Sequence, residues 1–386
     1  MTRALRVLHI ASGDLWAGAE VQAFTLIMHL TRIPNTEVAA VLMNEGVLAC
    51  KLRSAGVPVY VVDERKMASP WILGRLCRII STWRPDVIHT HREKENILGS
   101  VASRLCRRVP SVRTIHGGRE DSEVRGWKGT RRRAIRAFDR WCGRALQHRL
   151  IAVTRELSVR MQGELPAEKI VVIENGVDAA AVRAEKGIAQ FRTQEPGAAH
   201  VGIVGRLVPV KRVDLFLETA AALLRHVPER SWRFHVFGDG PERSRLEGLA
   251  EGLGISGRVT FHGHRQDSAT CIGGLDALVI CSDHEGLPMT ALEAAALAVP
   301  TVAHAVGGLV EVVPDEFLVP RHEVTGYRDG VLCALHADSR VIAENHATIV
   351  LQRFSAQRNA ERVHALYEHV TAQGPSGAGR GVEEES

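Results

Sequence analysis

Short apolar runs alternate with helix-patterned segments along almost the whole chain, and that rhythm leaves few folds open. After a first strand at Arg6 to Ala11, strands are predicted at Glu37 to Met43, Val57 to Val62, Asp86 to His89, Ser111 to His116 and Leu150 to Thr154. Helical segments separate them, and a βαβ series of this kind predicts a parallel, doubly wound α/β sheet. Ile170 to Asp178 closes the series with an Asn-Gly turn signal. A second series starts at His200 to Arg206 and runs through Phe234 to Gly240, Val259 to Gly263, Ala277 to Cys281 and Pro300 to Ala303. The polar, aromatic-poor segment Ala184 to Ala199 between the two reads as a linker or loop. A chain of 386 residues has room for two such domains.

Composition excludes several other classes. Hydrophobic content of 45% and charged content of 24% are those of an ordinary globular protein. No apolar run approaches the ~20 residues that span a bilayer, and Val7 to Ala11 is too short for the core of a signal peptide. Seven cysteines without a Cys-x-x-Cys pair point to a reducing compartment and away from a disulfide or zinc framework. The net charge of +5 is modest, aromatics are few, and no nucleic-acid module is present, so no nucleic-acid partner is expected.

The stretch Cys281 to Ala294 carries the most chemistry. A strand empties into a turn holding Glu285 and Gly286, Pro288 suits the first turn of a helix, and Met289 to Leu297 reads as that helix. Its start offers unpaired N–H groups to an anion. Glu285 and Glu293 are expected to line one crevice, where carboxylates repel phosphate but accept hydrogen bonds from a sugar diol. The ligand so described is part phosphate and part sugar. Arg206 and Lys211 flank another strand-to-helix turn, before the helix Val213 to His226, where two cations and a helix start can face one anion; Arg212 reads as solvent-facing and Asp239 as a turn residue.

In the first half, Ser12 to Glu20 forms a glycine-bearing loop before the helix Val21 to Leu30. It is either a ligand loop or a tight turn, without the Gly-x-Gly-x-x-Gly of dinucleotide sites. His116, at a strand end beside Gly117 and Gly118, can give or take one hydrogen bond. His89 and His91 read as packing or loop residues, and no carboxylate or cysteine accompanies them as metal ligands would require. Along Gly126 to Arg149, Arg132, Arg136, Arg140 and Arg144 share one helix face, while Ile135, Phe138, Cys142 and Ala145 share another. The stripe suits either an anionic membrane surface or a solvated face over the core. Arg353 to Ser355 precede an amphipathic helix to about Val370, and Gln373 to Ser386 should be disordered.

Glu285-x7-Glu293 with Ser282, Pro300-Thr301-Val302, Gly307-Gly308 and Glu311, together with Gly205-Arg206-Leu207 and Lys211, resembles the donor-site signature of GT-B glycosyltransferases of family 4. The resemblance implies two facing Rossmann-like, doubly wound domains with an interdomain cleft. An acceptor domain would cover 1–178 with a crossing helix at about 355–370, a donor domain 179–354, and a tail 371–386. It implies retaining transfer of a sugar from a UDP- or GDP-sugar to a hydroxyl of a glycan or lipid-linked acceptor. The setting would be cell-envelope or exopolysaccharide synthesis, in the cytoplasm or at the inner face of the membrane.

By the same resemblance, Arg206 and Lys211 hold the diphosphate, Glu285 the sugar hydroxyls and Glu293 the ribose diol. Gly286 and Leu287 orient the donor through backbone N–H groups, Gly263 lies near the base, Gly18 near the diphosphate and acceptor, and His116 at the sugar. The departing diphosphate takes the proton of the incoming hydroxyl, and the two cations stand in for a metal. No cofactor beyond the nucleotide-sugar is implied. Asp283-x-Glu285 has the spacing of a metal motif, but Glu285 is assigned to hydroxyls. Ala17 stands where the family has its first loop glycine, and Glu316 where a glycine commonly begins the next strand. A nucleotide-sugar-binding protein without transfer, and an epimerase or sugar-phosphate synthase on the same fold, remain alternatives. The nucleotide, sugar and acceptor are set by pocket shape.

Overall fold

The computed structural model describes residues 3–117 and 127–373. The chain divides into two compact units. One combines the chain up to His116, the stretch ending at Gly176 and the C-terminal segment from Ala356; the other holds Val177–Ser355. The division follows the hydrogen bonding, since Val177 donates to Phe354 O at 2.8 Å and pairs with Ser355 as an isolated bridge.

The first unit is built on seven parallel strands: β1 (Leu5–Ala11), β2 (Thr36–Leu42), β3 (Val59–Val61), β4 (Val87–Thr90), β5 (Ser111–Ile115), β6 (Arg149–Ala152) and β7 (Ile170–Val172). Their order is β3-β2-β1-β4-β5-β6-β7. A parallel sheet needs cover on both faces, and β1 shows how the sequence arranges it. Val7 and Ala11 pack with Leu26, Leu30 and Val363 on one face, while Leu8 and Ile10 pack with Ile72, Leu76 and Leu98 on the other. The C-terminal helix, Ala356–Ala372, belongs to the first face through Ala360, Val363, Leu366, Tyr367 and Val370. It thus includes Thr371 and Ala372, which the sequence reading placed in the tail; Thr371 caps back onto Tyr367 O at 2.9 Å. Residues 374–386 lie outside the described part.

The second unit has six parallel strands: β8 (Ala199–Val204), β9 (Trp232–Phe237), β10 (Val259–Gly263), β11 (Ala277–Ile280), β12 (Thr301–His304) and β13 (Leu318–Val319), in the order β10-β9-β8-β11-β12-β13. Both sheets reverse their winding once, at β1/β4 and at β8/β11. In open α/β sheets the crevice at such a point, beyond the strands' C-terminal ends, is where ligands bind.

Two local expectations are corrected. The segment Ala184 to Ala199, predicted as a linker or loop, contains the end of the helix Ala179–Glu185 and all of the helix Gln190–Gln194. The first is started by Asp178, whose side chain accepts from Ala181 N at 3.0 Å, a cap that polar composition alone conceals. Glu316, standing where the family commonly has a glycine, sits in a 3-10 turn, Asp315–Phe317, whose Phe317 is buried, and β13 follows. On the helix Trp127–Ala145 the two faces exchange roles. Arg132, Arg136 and Arg140 are half-buried, Arg144 Nε donates to Glu164 O at 2.9 Å, and Arg140 approaches the Glu164 carboxylate at 3.7 Å. Cys142 is buried, but Ile135, Phe138 and Trp141 are exposed, the last two stacked at 5.5 Å. Gly118 and Gly126 lie outside the described residues.

Candidate functional site

At the β8/β11 switch point the second unit has a pocket lined by Gly205, Arg206, Lys211, Ser282, Glu285 and Thr290 over a floor that includes Ile203, Val236 and Val279. Topology explains the gathering. Because β8 and β11 are neighbours, the loop after β8 delivers Arg206 and Lys211 beside the loop after β11, which carries Ser282 and Glu285. One backbone bond, Asp283 N to Val210 O at 2.9 Å, ties the two loops.

Glycines fix the distances. The loop after β9 lies so close to the first that a Cβ on Gly238 would stand 1.7 Å from Gly205 O, and φ there is +146°. Leu207 N donates to Asp239 O at 2.9 Å across the same contact. A Cβ on Gly307, at φ +55°, would lie 2.0 Å from Glu285 O. Gly308 N donates to Gly286 O at 2.7 Å. The Gly-Gly pair is therefore required by the close approach of the backbone at Glu285 to Leu287, a need only glycine meets.

The polar groups are already paired with each other. Lys211 Nζ donates to Glu285 Oε1 at 2.5 Å, and Ser282 Oγ donates to the same oxygen at 2.6 Å. Both bonds go to Oε1, which leaves Oε2 able to accept from a ligand; an ammonium has three donors, so Lys211 can hold an anion without releasing Glu285. Arg206 is exposed at the pocket. Arg212 is not solvent-facing as expected. It adopts φ +49° at the start of the helix Val213–His226, and its side chain, half-buried, reaches Asp214 and Asp283 at 3.3 Å.

Pro288 precedes the helix Met289–Ala296 as its N-cap and is not inside the first turn. Glu293 does not line the pocket with Glu285. It is buried within that helix; burial raises its pKa to about 7 against the lowering effect of a Ser268 hydrogen bond, and its Oε2 has no partner among the described residues. Leu287 is buried as well. Gly263 ends β10 at φ +71°, and its carbonyl accepts from Gly238 N at 2.8 Å, two strands from the switch point.

The first unit's switch point is furnished differently. Gly18 opens the helix Gly18–Leu30, after Ala17 in extended backbone, and nothing lies within 4 Å of where its Cβ would be. Beside it lies a pair that sequence reading missed: buried Glu20 takes Nη2 of the partly exposed Arg92 at 2.5 Å, and burial, only partly offset by that cation, raises the Glu20 pKa to about 7. An acidic residue in a glycine-bearing loop was the available signal. His116 follows β5. Its Nε2 lies 3.3 Å from His91 Nδ1, and its Nδ1 is enclosed with no partner among the described residues. Burial, with His91 next, holds its pKa well below the usual imidazole value.

His89 and His91 are buried as packing residues are, but β1 supplies a third imidazole, His9, paired in register with His89. Ring nitrogens of His9, His89 and His91 lie within 4.8 Å of one another, a spacing that could hold a metal ion. Period-two spacing of His89 and His91 signalled a shared face; the contribution of His9 needed the strand order.

Two sequence profiles match the chain: one described as Glycosyltransferase Family 4 over residues 16–181, the other as glycosyl transferases group 1 over residues 198–337. A D-inositol 3-phosphate glycosyltransferase of Thermobispora bispora is 30% identical over 333 residues, covering 80% of this chain and 73% of the relative. The UDP-Gal:alpha-D-GlcNAc-diphosphoundecaprenol alpha-1,3-galactosyltransferase of Escherichia coli is 25% identical over 310 residues, 76% of this chain and 77% of the relative. Among solved structures, Anabaena HepE in complex with UDP-glucose superposes with a TM-score of 0.78 at 20% identity, over 95% of this chain and 100% of that one. The fold is GT-B, an α/β fold of two Rossmann-like, parallel-sheet domains. The chain belongs to glycosyltransferase family 4, and its activity is that of a glycosyltransferase.

Proposed function

We propose that the chain moves a sugar from a UDP- or GDP-sugar to a hydroxyl of a glycan or lipid-linked acceptor, with retention of configuration and without a resident metal. The observation that carries this reading is the set Arg206, Lys211, Ser282 and Glu285 around one pocket at the β8/β11 switch point. Arg206 and Lys211 take the diphosphate, and Lys211 keeps its bond to Glu285 while doing so. Glu285 Oε2 then accepts from the sugar hydroxyls, so one ammonium aligns the phosphate with the sugar. Fixed cations of this kind act strongly where charge develops on a leaving group, and the departing diphosphate accepts the proton of the incoming hydroxyl.

Glu293 meets the ribose diol through its unpartnered Oε2, which requires the helix start to open slightly. Gly286 and Leu287 orient the donor through backbone N–H groups, and Gly263 lies near the base. In the first unit Gly18 leaves its backbone open to the diphosphate or acceptor, and His116 takes a sugar hydroxyl. The UDP-sugar and the undecaprenol-linked acceptor in the names of the relatives favour an envelope or exopolysaccharide role.

A panel of UDP-, GDP- and ADP-sugars tests the donor: the true one raises the melting temperature by mass action. Sugar incorporation into acceptor, against release of free sugar, tests transfer. No stabilisation by any nucleotide-sugar would sink the reading.

No helix among the described residues is long and apolar enough to cross a membrane. The chain is proposed to work in the cytoplasm, with peripheral contact at the inner face of the membrane. The contact would use the exposed Ile135, Phe138 and Trp141, flanked by Arg132, Arg136, Arg140 and Arg144. Trp141→Ser is expected to weaken sedimentation with anionic vesicles several-fold, and added salt to weaken it further.

A further inference from the structure

Four imidazoles of the first unit form one continuous hydrogen-bonded chain. His116 Nε2 meets His91 Nδ1 at 3.3 Å, and His91 Nε2 meets His9 Nδ1 at 3.0 Å. His9 Nε2 then meets the Tyr367 hydroxyl at 3.5 Å, and that hydroxyl also bonds His89 Nδ1. The chain ends where His89 Nε2 meets Thr114 Oγ1 at 2.7 Å. It spans β1, β4 and β5 and is closed from above by the C-terminal helix. Burial depresses the pKa values of all four rings, and neighbouring imidazoles depress those of His9, His89 and His116 further, which favours the neutral form.

A neutral imidazole has one donor and one acceptor nitrogen, so the chain has only two complete bonding patterns. In the first, His116, His91 and His9 each donate from Nε2, Tyr367 donates to His89 Nδ1, and His89 Nε2 donates to Thr114. His116 Nδ1 is then a bare acceptor. In the second, Thr114 donates to His89 Nε2, and His89 Nδ1 donates to Tyr367, which donates to His9 Nε2. His9 and His91 donate from Nδ1, and His116 Nδ1 carries a proton. Each ring and each hydroxyl keeps one proton in both patterns, and the same contacts are bonded. Hydroxyls, which can give or accept, stand at the bend and the far end, so neither pattern is forbidden.

We infer that His9, His89, His91, Tyr367 and Thr114 act as positioning residues that set whether His116 Nδ1, once the cover over this enclosed atom opens, offers a donor or an acceptor to a sugar hydroxyl. The substrate half of this statement rests on the role proposed for His116 above; the coupling between tautomers does not. The chain lets one histidine match a hydroxyl that must donate or one that must accept, without any charge entering the core. It also joins the C-terminal helix to the sugar site through Tyr367.

Two substitutions push the chain the same way. Tyr367→Phe leaves His9 Nε2 without a partner, and Thr114→Val leaves His89 Nε2 without one. A buried orphan N–H is more costly than a bare ring nitrogen, so in each variant the proton moves to Nδ1 and the second pattern is locked in. The experiment is 15N NMR of histidine-labelled protein, in which the two imidazole tautomers differ in their nitrogen shifts, with a thermal melt to confirm folding. Wild type is expected to show His116 shifts averaged between the tautomers, and both variants a His116 protonated on Nδ1. Thr114→Val is nearly isosteric, so it keeps the test alive if Tyr367→Phe unfolds. Unchanged His116 shifts in the folded variants would overturn the inference.

Kinetics then separate its two halves. The KM for the donor or acceptor should change by roughly three- to ten-fold in both variants, the worth of one hydrogen bond, with a smaller change in kcat. Tautomers that shift while both KM values stay fixed would remove His116 from the sugar and overturn the proposed contact, leaving the coupled chain in place.

Discussion

Each unit carries a ladder of histidines across three strands, and the two ladders end differently. In the second unit His200 Nε2 donates to Glu195 O at 2.8 Å, His200 Nδ1 meets His235 Nε2 at 2.9 Å, and His235 Nδ1 meets His262 Nε2 at 2.9 Å. A carbonyl can only accept. When each ring carries a single proton, His200 must therefore donate from Nε2, and every ring after it is forced into the same tautomer. The ladder in the first unit ends in hydroxyls and has no such fixed direction. Placement differs too. The reversible ladder occupies the β1/β4 switch point, whereas the fixed one runs over β8, β9 and β10 and leaves the β8/β11 switch point to Arg206, Lys211 and Glu285. On the proposed reading, the first sheet offers its ligand a chain of imidazoles and the second offers Arg206 and Lys211. The anchoring group, carbonyl or hydroxyl, decides whether a buried polar chain is a strut or a selector.

The largest effect should come from removing the charge at the second switch point. On the proposed reading, Lys211→Ala takes away an interaction that matters most as charge builds on the leaving diphosphate. It is expected to lower kcat about 10²–10³-fold at saturating donor, as loss of one preorganised donor does. Initial rates over a donor series check this, and a kcat within a few-fold of wild type would break the contrast, because the charged edge would then be no more than a binding surface.

Cutting the fixed ladder should act on stability instead. His235→Leu strands His200 Nδ1 and the His262 N–H, and it removes a ring stacked on Phe237 at 5.8 Å. Leaving such buried groups unpaired costs about 1–3 kcal/mol, to be read from urea unfolding. Turnover of the protein that remains folded should stay near wild type. A loss of turnover without loss of stability would mean that the second ladder also selects.

Much of this contrast was legible in the residues, and the remainder was not for definite reasons. Strand positions and the Arg206, Lys211 and Glu285 grouping follow from local patterns: apolar runs, a Gly-Arg turn and an acidic turn before a helix. The ladders do not, because each needs three strands from distant parts of the chain, and a single histidine in an apolar run such as Val7 to Ala11 reads as packing. Glu293 failed for another reason. Spacing along a helix tells which turn a carboxylate occupies, but not whether neighbouring loops cover it. The arginine helix failed similarly: periodicity separated two faces correctly, and only the position of Glu164 shows which face turns inward.

The subtlest test concerns Glu293, an acid buried in the charged unit with no cation among the described residues acting on it. Burial raises its pKa from the usual 4.5 to about 7. Between those values the folded state holds a proton that the unfolded chain has lost, so stability falls as pH rises through this window, and the full penalty is present above it. At pH 4 the carboxyl is protonated in both states and Glu293→Gln should be nearly neutral. At pH 8 the amide, which avoids the buried charge, should gain on the order of 1–3 kcal/mol over wild type. Unfolding of both proteins at the two pH values checks the difference. Glu20 in the first unit, also raised to about 7, has Arg92 at 2.5 Å; Glu20→Gln would give up that ion pair and should gain less or lose. If the two substitutions respond alike to pH, the Arg92 cation contributes nothing that burial does not, and the neutral character assigned to the first switch point would have to rest on its histidines alone.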